Sequence, residues 1–170
     1  MNIINTLKYM THIPLLLACL DNTNGVILEC GLGLGSTPIL NGYSFSDRKV
    51  YSYDNDAAWV NQFTKFRSDN HVVEVINSWS DLDELYKTNF GIAFIDQAPA
   101  ADRGKTIIKL KDTAELIVMH DANHLRNCAA REVFNEMKYK FIFTSFRPNT
   151  CVMSNTNDLS FLKKYTFYKE

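Results

Sequence analysis

Short apolar runs alternate with stretches of helical spacing along the chain. The runs at 26–30 (VILEC), 49–54 (KVYSYD), 71–76 (HVVEVI), 90–96 (FGIAFID) and 115–120 (ELIVMH) are rich in Val, Ile, Phe and Tyr. Each is too short for a buried helix and reads as a strand; the third alternates enough to leave one partly polar face. Helices fill the intervals: one opening at Ser36 or Thr37 and ending around 42, then 55–66, 82–87, 102–111 and a last one running to about 137. Two helical stretches lead the chain, 2–10 and 12–21, the second capped by Thr11 with Pro14 in its first turn. Two long strands, 139–146 and 150–154, turn tightly through Arg147, Pro148 and Asn149, and the tail from Asp158 is a short amphipathic helix. Regular β-α alternation predicts a doubly wound α/β sandwich of three layers. Its sheet has seven strands, mostly parallel, with an antiparallel closing hairpin. We read 1–170 as a single domain: leading helices to 22, β-α units over 23–137, hairpin and tail over 138–170.

The organising stretch is VILECGLGLGSTP at 26–38. Three alternating glycines exclude a helix there, since each would cost about 1 kcal/mol relative to alanine. A strand therefore ends near Cys30, and a turn without side chains brings backbone close to a ligand before the next helix begins. A connecting turn with no ligand is the plainer reading. A dinucleotide fingerprint needs G-x-G-x-x-G, whereas this chain has Gly31, Gly33 and Gly35 with Ser36 at the place of the third glycine, which weakens an NAD-dependent alternative.

The E-C-G-L-G-L-G sequence, with Glu29 two places before the first glycine, resembles the first motif of class I S-adenosylmethionine-dependent methyltransferases. The resemblance covers nearly the whole chain. S-T-P-x-L after the glycines, S-Y-D-N at 52–55, F-I-D-x-A-P at 94–99 and His120-Asp121 are similar to a small branch on the O-methyltransferase side of that superfamily. It implies a Rossmann-like domain in which Glu29, Gly31, Gly33, Gly35 and Ser36 surround the methionine part of the cofactor. Asp54, about twenty residues beyond the glycines, stands where a carboxylate receives ribose hydroxyls, with Asn55 beside it; it could equally cap the helix at 55–66. In the family the residues after the third strand border adenine, so Trp79 either stacks there or belongs to the core. Asp81 either meets the adenine amino group or caps 82–87. The leading helix in such domains covers the sheet and closes over the cofactor, from which His12 reaches the ligand or remains a surface histidine.

Asp96, His120 and Asp121 arrive at the carboxyl edge of the sheet, where open α/β sheets hold their ligands, and form the catalytic candidates. Methyl transfer from a sulfonium is an in-line displacement that asks for alignment and removal of a hydroxyl proton. His120 is the natural general base when no metal takes part. The metal-dependent members of the family imply a magnesium set of Asp96, Asp121 and Asn123, although Ala122 stands at the family's asparagine position. Two carboxylates and an amide suit such a hard cation. His124 reads as a helix-start surface residue, and Arg103 as a partner for an anionic substrate or one half of a surface ion pair.

Composition narrows the acceptor. With 18 basic and 19 acidic side chains the net charge is −1, and no basic stripe or aromatic-basic interleaving marks a nucleic-acid surface. The D/N-P-P-aromatic motif of amino-group methyltransferases is absent. A small hydroxylated molecule, a sugar or a phenol, remains by elimination. Four cysteines without metal spacing, at 19, 30, 128 and 151, predict buried thiols in a reducing, cytoplasmic compartment. Pro14 and His12 interrupt the apolar run before Cys19, against a signal peptide, and no run reaches transmembrane length. Self-association is left open. The other reading in play is a protein that binds the cofactor without transferring its methyl group, or that does other chemistry on it.

Overall fold

The computed structural model describes residues 9–165. The predicted helix at 2–10 lies mostly outside them; Tyr9 to His12 form a turn. Seven strands follow: β1 (Val26–Cys30), β2 (Val50–Asp54), β3 (His71–Val75), β4 (Phe90–Ile95), β5 (Ala114–His120), β6 (Tyr139–Phe143) and β7 (Thr150–Ser154). They form one sheet in the order β3-β2-β1-β4-β5-β7-β6, parallel except for β7, which runs against both of its neighbours. The chain starts in the middle of the sheet, builds outward through β2 and β3, then returns to β4 beside β1. That reversal opens a crevice at the carboxyl ends of β1 and β4.

Alternation along the central strands divides the core into two layers. Leu28, Ala93, Ile95, Ile117 and Met119 face one cluster, with α4 (Arg103–Leu110) and α5 (Arg131–Glu136) supplying Ile107, Leu110, Val133 and Phe134. Ile27, Ile92, Phe94, Leu116 and Val118 face the other, covered by α1 (Ile13–Leu20) and α2 (Ser36–Ser44) through Leu15, Leu16, Cys19, Leu20 and Leu40. By the same period of two, Glu29, Asp96 and His120 belong to the α1 and α2 side. All four cysteines are buried and free.

Several predicted elements are shorter than expected. The 55–66 helix reduces to α3 (Ala57–Asn61) and a 3-10 turn at Thr64–Phe66. Asp56, not Asp54, caps α3, accepting the Ala58 and Trp59 amides. Six residues are too few for the helix at 82–87 to hold by itself; instead Ser78 and Asp81 close a capping box over a 3-10 turn at Trp79–Leu82, and Leu85–Lys87 forms another. The helix after β5 is broken because Asp121 (φ 59) and Ala129 (φ 50) adopt left-handed backbone, leaving a 3-10 turn at Ala122–His124 before α5. β6 stops at Phe143 and the chain departs from the sheet, so that the Pro148 carbonyl receives the Thr11 hydroxyl and the Asn149 amide reaches Asn123. The tail is a 3-10 helix, Ser160–Tyr165.

Candidate active site

Gly31 ends β1 at φ +93, and a Cβ there would lie 2.6 Å from the backbone of Asp96 and Gln97. Only glycine lets β1 and β4 exit so close together, held by the Asp96 amide donating to the Cys30 carbonyl at 2.8 Å. The glycine loop is then fixed from two directions. The Leu32 amide donates to Asp54 Oδ2 at 3.0 Å, and the Gly33 amide donates to Thr37 Oγ1, whose hydroxyl in turn donates a hydrogen bond to the Glu29 carboxyl, 3.0 and 3.1 Å from its two oxygens. Neither Ser36 nor Thr37 caps α2, whose cap is Gly35; Thr37 spends its hydroxyl on the loop. Glu29 has no exposed surface, and burial pushes its carboxyl up to about 7 against the opposing pull of the Ser36, Ser52 and Thr37 hydroxyls. Burial also raises Asp54, though its three backbone partners lower it.

Above the loop lies a cavity of about 280 Å³ lined by residues 32–35, Tyr9, Met10, His12, Trp59 and Asp96. Trp59, unmarked in the sequence reading, hangs over the loop with its indole N–H donating to the Leu32 carbonyl at 2.8 Å. Its signal was position, one turn beyond the acid that ends β2. Trp79 adopts the core reading: it is 6% exposed, packs in the first cluster and donates to the Ala98 carbonyl. Asp81 is engaged by the Asn77 and Ser78 amides. Asn55 is exposed at the edge of the sheet and does not line the cavity.

The largest departure from expectation is Arg103. Its side chain is 7% exposed, and its guanidinium lies between Asp96 Oδ1 and Asp121 Oδ2, 3.0 Å from each. Further donors reach the carbonyls of Gln97, His120 and Asp96, so all three guanidinium nitrogens are engaged. Arg103 is therefore neither a surface ion pair nor free for a substrate; it buckles β4 to β5. The signal was present: two acids brought to one sheet edge need a cation, and Arg103 follows the first by seven residues. This pairing bears on the magnesium set. The guanidinium is already paired with Asp96 Oδ1 and Asp121 Oδ2, and Asn123 Oδ1 accepts the Asn149 amide. These residues do not fit the ion that the family resemblance implies.

His120 lies one layer further in. It is buried beneath Asp96, Nδ1 3.3 Å from Asp96 Oδ2 and Nε2 3.0 Å from Thr11 Oγ1, and it does not line the cavity. The histidine that does is His12, 1% exposed, packed on Phe94 at 4.7 Å between ring centroids and on His120 at 4.9 Å. Burial first, then the charge of His120, hold His12 down to about 3, so it is neutral. His124 is exposed, as expected.

No protein-family model and no curated protein matches the chain. Solved structures do. An rRNA methylase from Streptococcus thermophilus superposes with TM-score 0.61 at 11% identity, over 82% of this chain and 93% of its own. The O-methyltransferase TomG from Streptomyces achromogenes, solved with S-adenosylmethionine, gives 0.60 at 12% identity over 84% and 77%. Human methyltransferase-like protein 13, solved with S-adenosylhomocysteine, gives 0.58 at 14% over 92% and 81%. Strand order, the antiparallel β7 and these superpositions agree: the chain has the class I methyltransferase fold.

Proposed function

We propose that the protein is an S-adenosylmethionine-dependent methyltransferase acting on a hydroxyl of a small molecule. The observation that carries this reading is the glycine loop, pinned by Asp54 and by the Thr37–Glu29 pair, forming one wall of a cavity that ends on Asp96. The cofactor fits this wall: residues 32–35, two of them glycine, line the cavity beside Trp59, whose indole is tied to the Leu32 carbonyl. The protein structures that superpose include two solved with the cofactor or its demethylated product.

When bound, S-adenosylmethionine supplies a methyl group on a positively charged sulfur. This chain's residues align the acceptor and receive its proton. Asp96, with a quarter of its side chain exposed, is the carboxylate on the cavity wall; Arg103 and His120 hold it in place. Asp96 would accept the hydrogen bond of the acceptor hydroxyl, aligning its oxygen for methyl transfer from the sulfonium, and would take the proton that the hydroxyl gives up. His120 is a positioning residue. A small acceptor is supported by the apolar mouth formed by Tyr9, Leu34 and Trp59 and by the absence of net positive charge.

The test is release of S-adenosylhomocysteine against a panel of phenols, sugars and hydroxy acids. We expect turnover with at least one hydroxylated class, and Asp96→Asn should lower kcat by about 100-fold or more while cofactor affinity changes little. Cofactor binding with no transfer to any acceptor would move the non-catalytic reading forward.

A further inference from the structure

Beneath the cavity, His12, Asp96 and His120 each offer a ligand atom, all within 4.8 Å of one another. Two features of this cluster are unexplained by methyl transfer. The first is the proton on His120. Thr11 has a single hydroxyl hydrogen, which goes to the Pro148 carbonyl at 2.6 Å, so toward His120 Nε2 the Thr11 oxygen can only accept. A neutral His120 then carries its hydrogen on Nε2 and turns a bare Nδ1 lone pair at Asp96 Oδ2, 3.3 Å away, with Asp121 Oδ1 at 3.9 Å. Something positive must lie between that nitrogen and the two carboxylates, a proton or a metal ion. The second is His12: both of its ring nitrogens are buried and neither has a hydrogen-bond partner. Buried polar atoms left unpaired keep their desolvation cost, and they are rare enough to require a reason.

One divalent cation answers both. We infer that His12, Asp96 and His120 Nδ1 form a binding site for a divalent transition metal, zinc or ferrous iron in preference to magnesium. Three atoms within 4.8 Å of one another have a centre at most about 2.8 Å from each, against metal–ligand bonds of about 2.0–2.2 Å. Each ligand thus moves inward by less than about 1 Å. The 3.3 Å separation of His120 Nδ1 and Asp96 Oδ2 already matches the edge of such a polyhedron, about 3.0–3.4 Å. Two imidazoles with one carboxylate is a donor set for borderline metals; magnesium and calcium take oxygen. Thr11 then acts from the outer shell, fixing the His120 tautomer that leaves Nδ1 free to ligate. His12 and Asp96 both line the cavity, so the open coordination positions face it, where an acceptor oxygen or water completes the shell.

The site is distinct from the Asp96, Asp121 and Asn123 set, because two imidazoles replace the second acid and the amide, and His12 enters from a segment far away in sequence. It does not depend on methyl transfer, and it is tested without cofactor or acceptor. Tag-free protein stripped with a chelator is titrated calorimetrically with Zn2+, Co2+ and Mg2+. We expect one Zn2+ per chain, Co2+ binding with a visible absorption band, and Mg2+ weaker by about 100-fold or more. Thr11→Val should weaken Zn2+ by roughly 10–100-fold, and His12→Phe, which keeps a ring against Phe94, by more than that. Should His12→Phe not fold, X-ray absorption of the parent's zinc decides: two imidazole nitrogens in the shell support the site. A shell without imidazole, absence of stoichiometric Zn2+ binding, or a folded His12→Phe that binds as the parent does would overturn it.

Discussion

Arg103 joins two strand ends and holds two acids, and the account of the site depends on its burial. Removing one member of a buried ion cluster leaves uncompensated charge and typically costs about 3–5 kcal/mol. We expect Arg103→Ala to lower unfolding stability by that amount in urea titrations, and Arg103→Lys to restore little of it, since three donors on a flexible stem cannot replace five in a plane. Glu29 makes a second prediction. Its folded carboxyl is raised from 4.5 to about 7, so its contribution to stability is full below pH 4.5 and is lost as pH rises through 7. Between these limits the parent should lose up to about 3 kcal/mol relative to Glu29→Gln, seen as converging midpoints at acid pH and diverging ones at pH 8. Parallel pH profiles would show that Glu29 titrates in the fold as it does in the unfolded chain.

At the scale of elements, the glycine loop is held by geometry. Gly31→Ala must accept left-handed backbone and a Cβ 2.6 Å from the next strand's exit, and we expect it to cost more than about 3 kcal/mol. Gly42, inside α2 with nothing within 4 Å of its missing Cβ, is the control: Gly42→Ala should stabilise by roughly 0.5–1 kcal/mol. The same contrast explains what could be read from the sequence. Strands β1 to β5 were legible to within a residue or so because their apolar runs are continuous and end in glycine or an acid. The segments 55–66, 82–87 and 121–137 were misjudged because helical spacing is local, while their termination is not: Gly104 packs within contact of the Ala129 carbonyl, and Asp121 turns left-handed above Arg103. Glu29 and Asp54 were marked as site residues and do anchor the loop. His12 and Arg103 were underrated since burial is a property of the assembled sheet, and Trp59 had no motif of its own.

At the scale of the molecule, a parallel sheet that reverses direction beside β1 brings the loop, Trp59, His12 and Asp96 around a single cavity. Among the described residues no helix is long and apolar enough to cross a membrane. The central claim is that this cavity binds S-adenosylmethionine through a loop whose shape Asp54 maintains. Calorimetric titration of S-adenosylmethionine, S-adenosylhomocysteine and NAD into the parent protein and Asp54→Ala tests it most directly. Micromolar binding of both sulfur compounds, none of NAD, and loss of about 100-fold or more in the variant is the predicted result. Absence of binding to either sulfur compound, or affinity unchanged in Asp54→Ala, would contradict it.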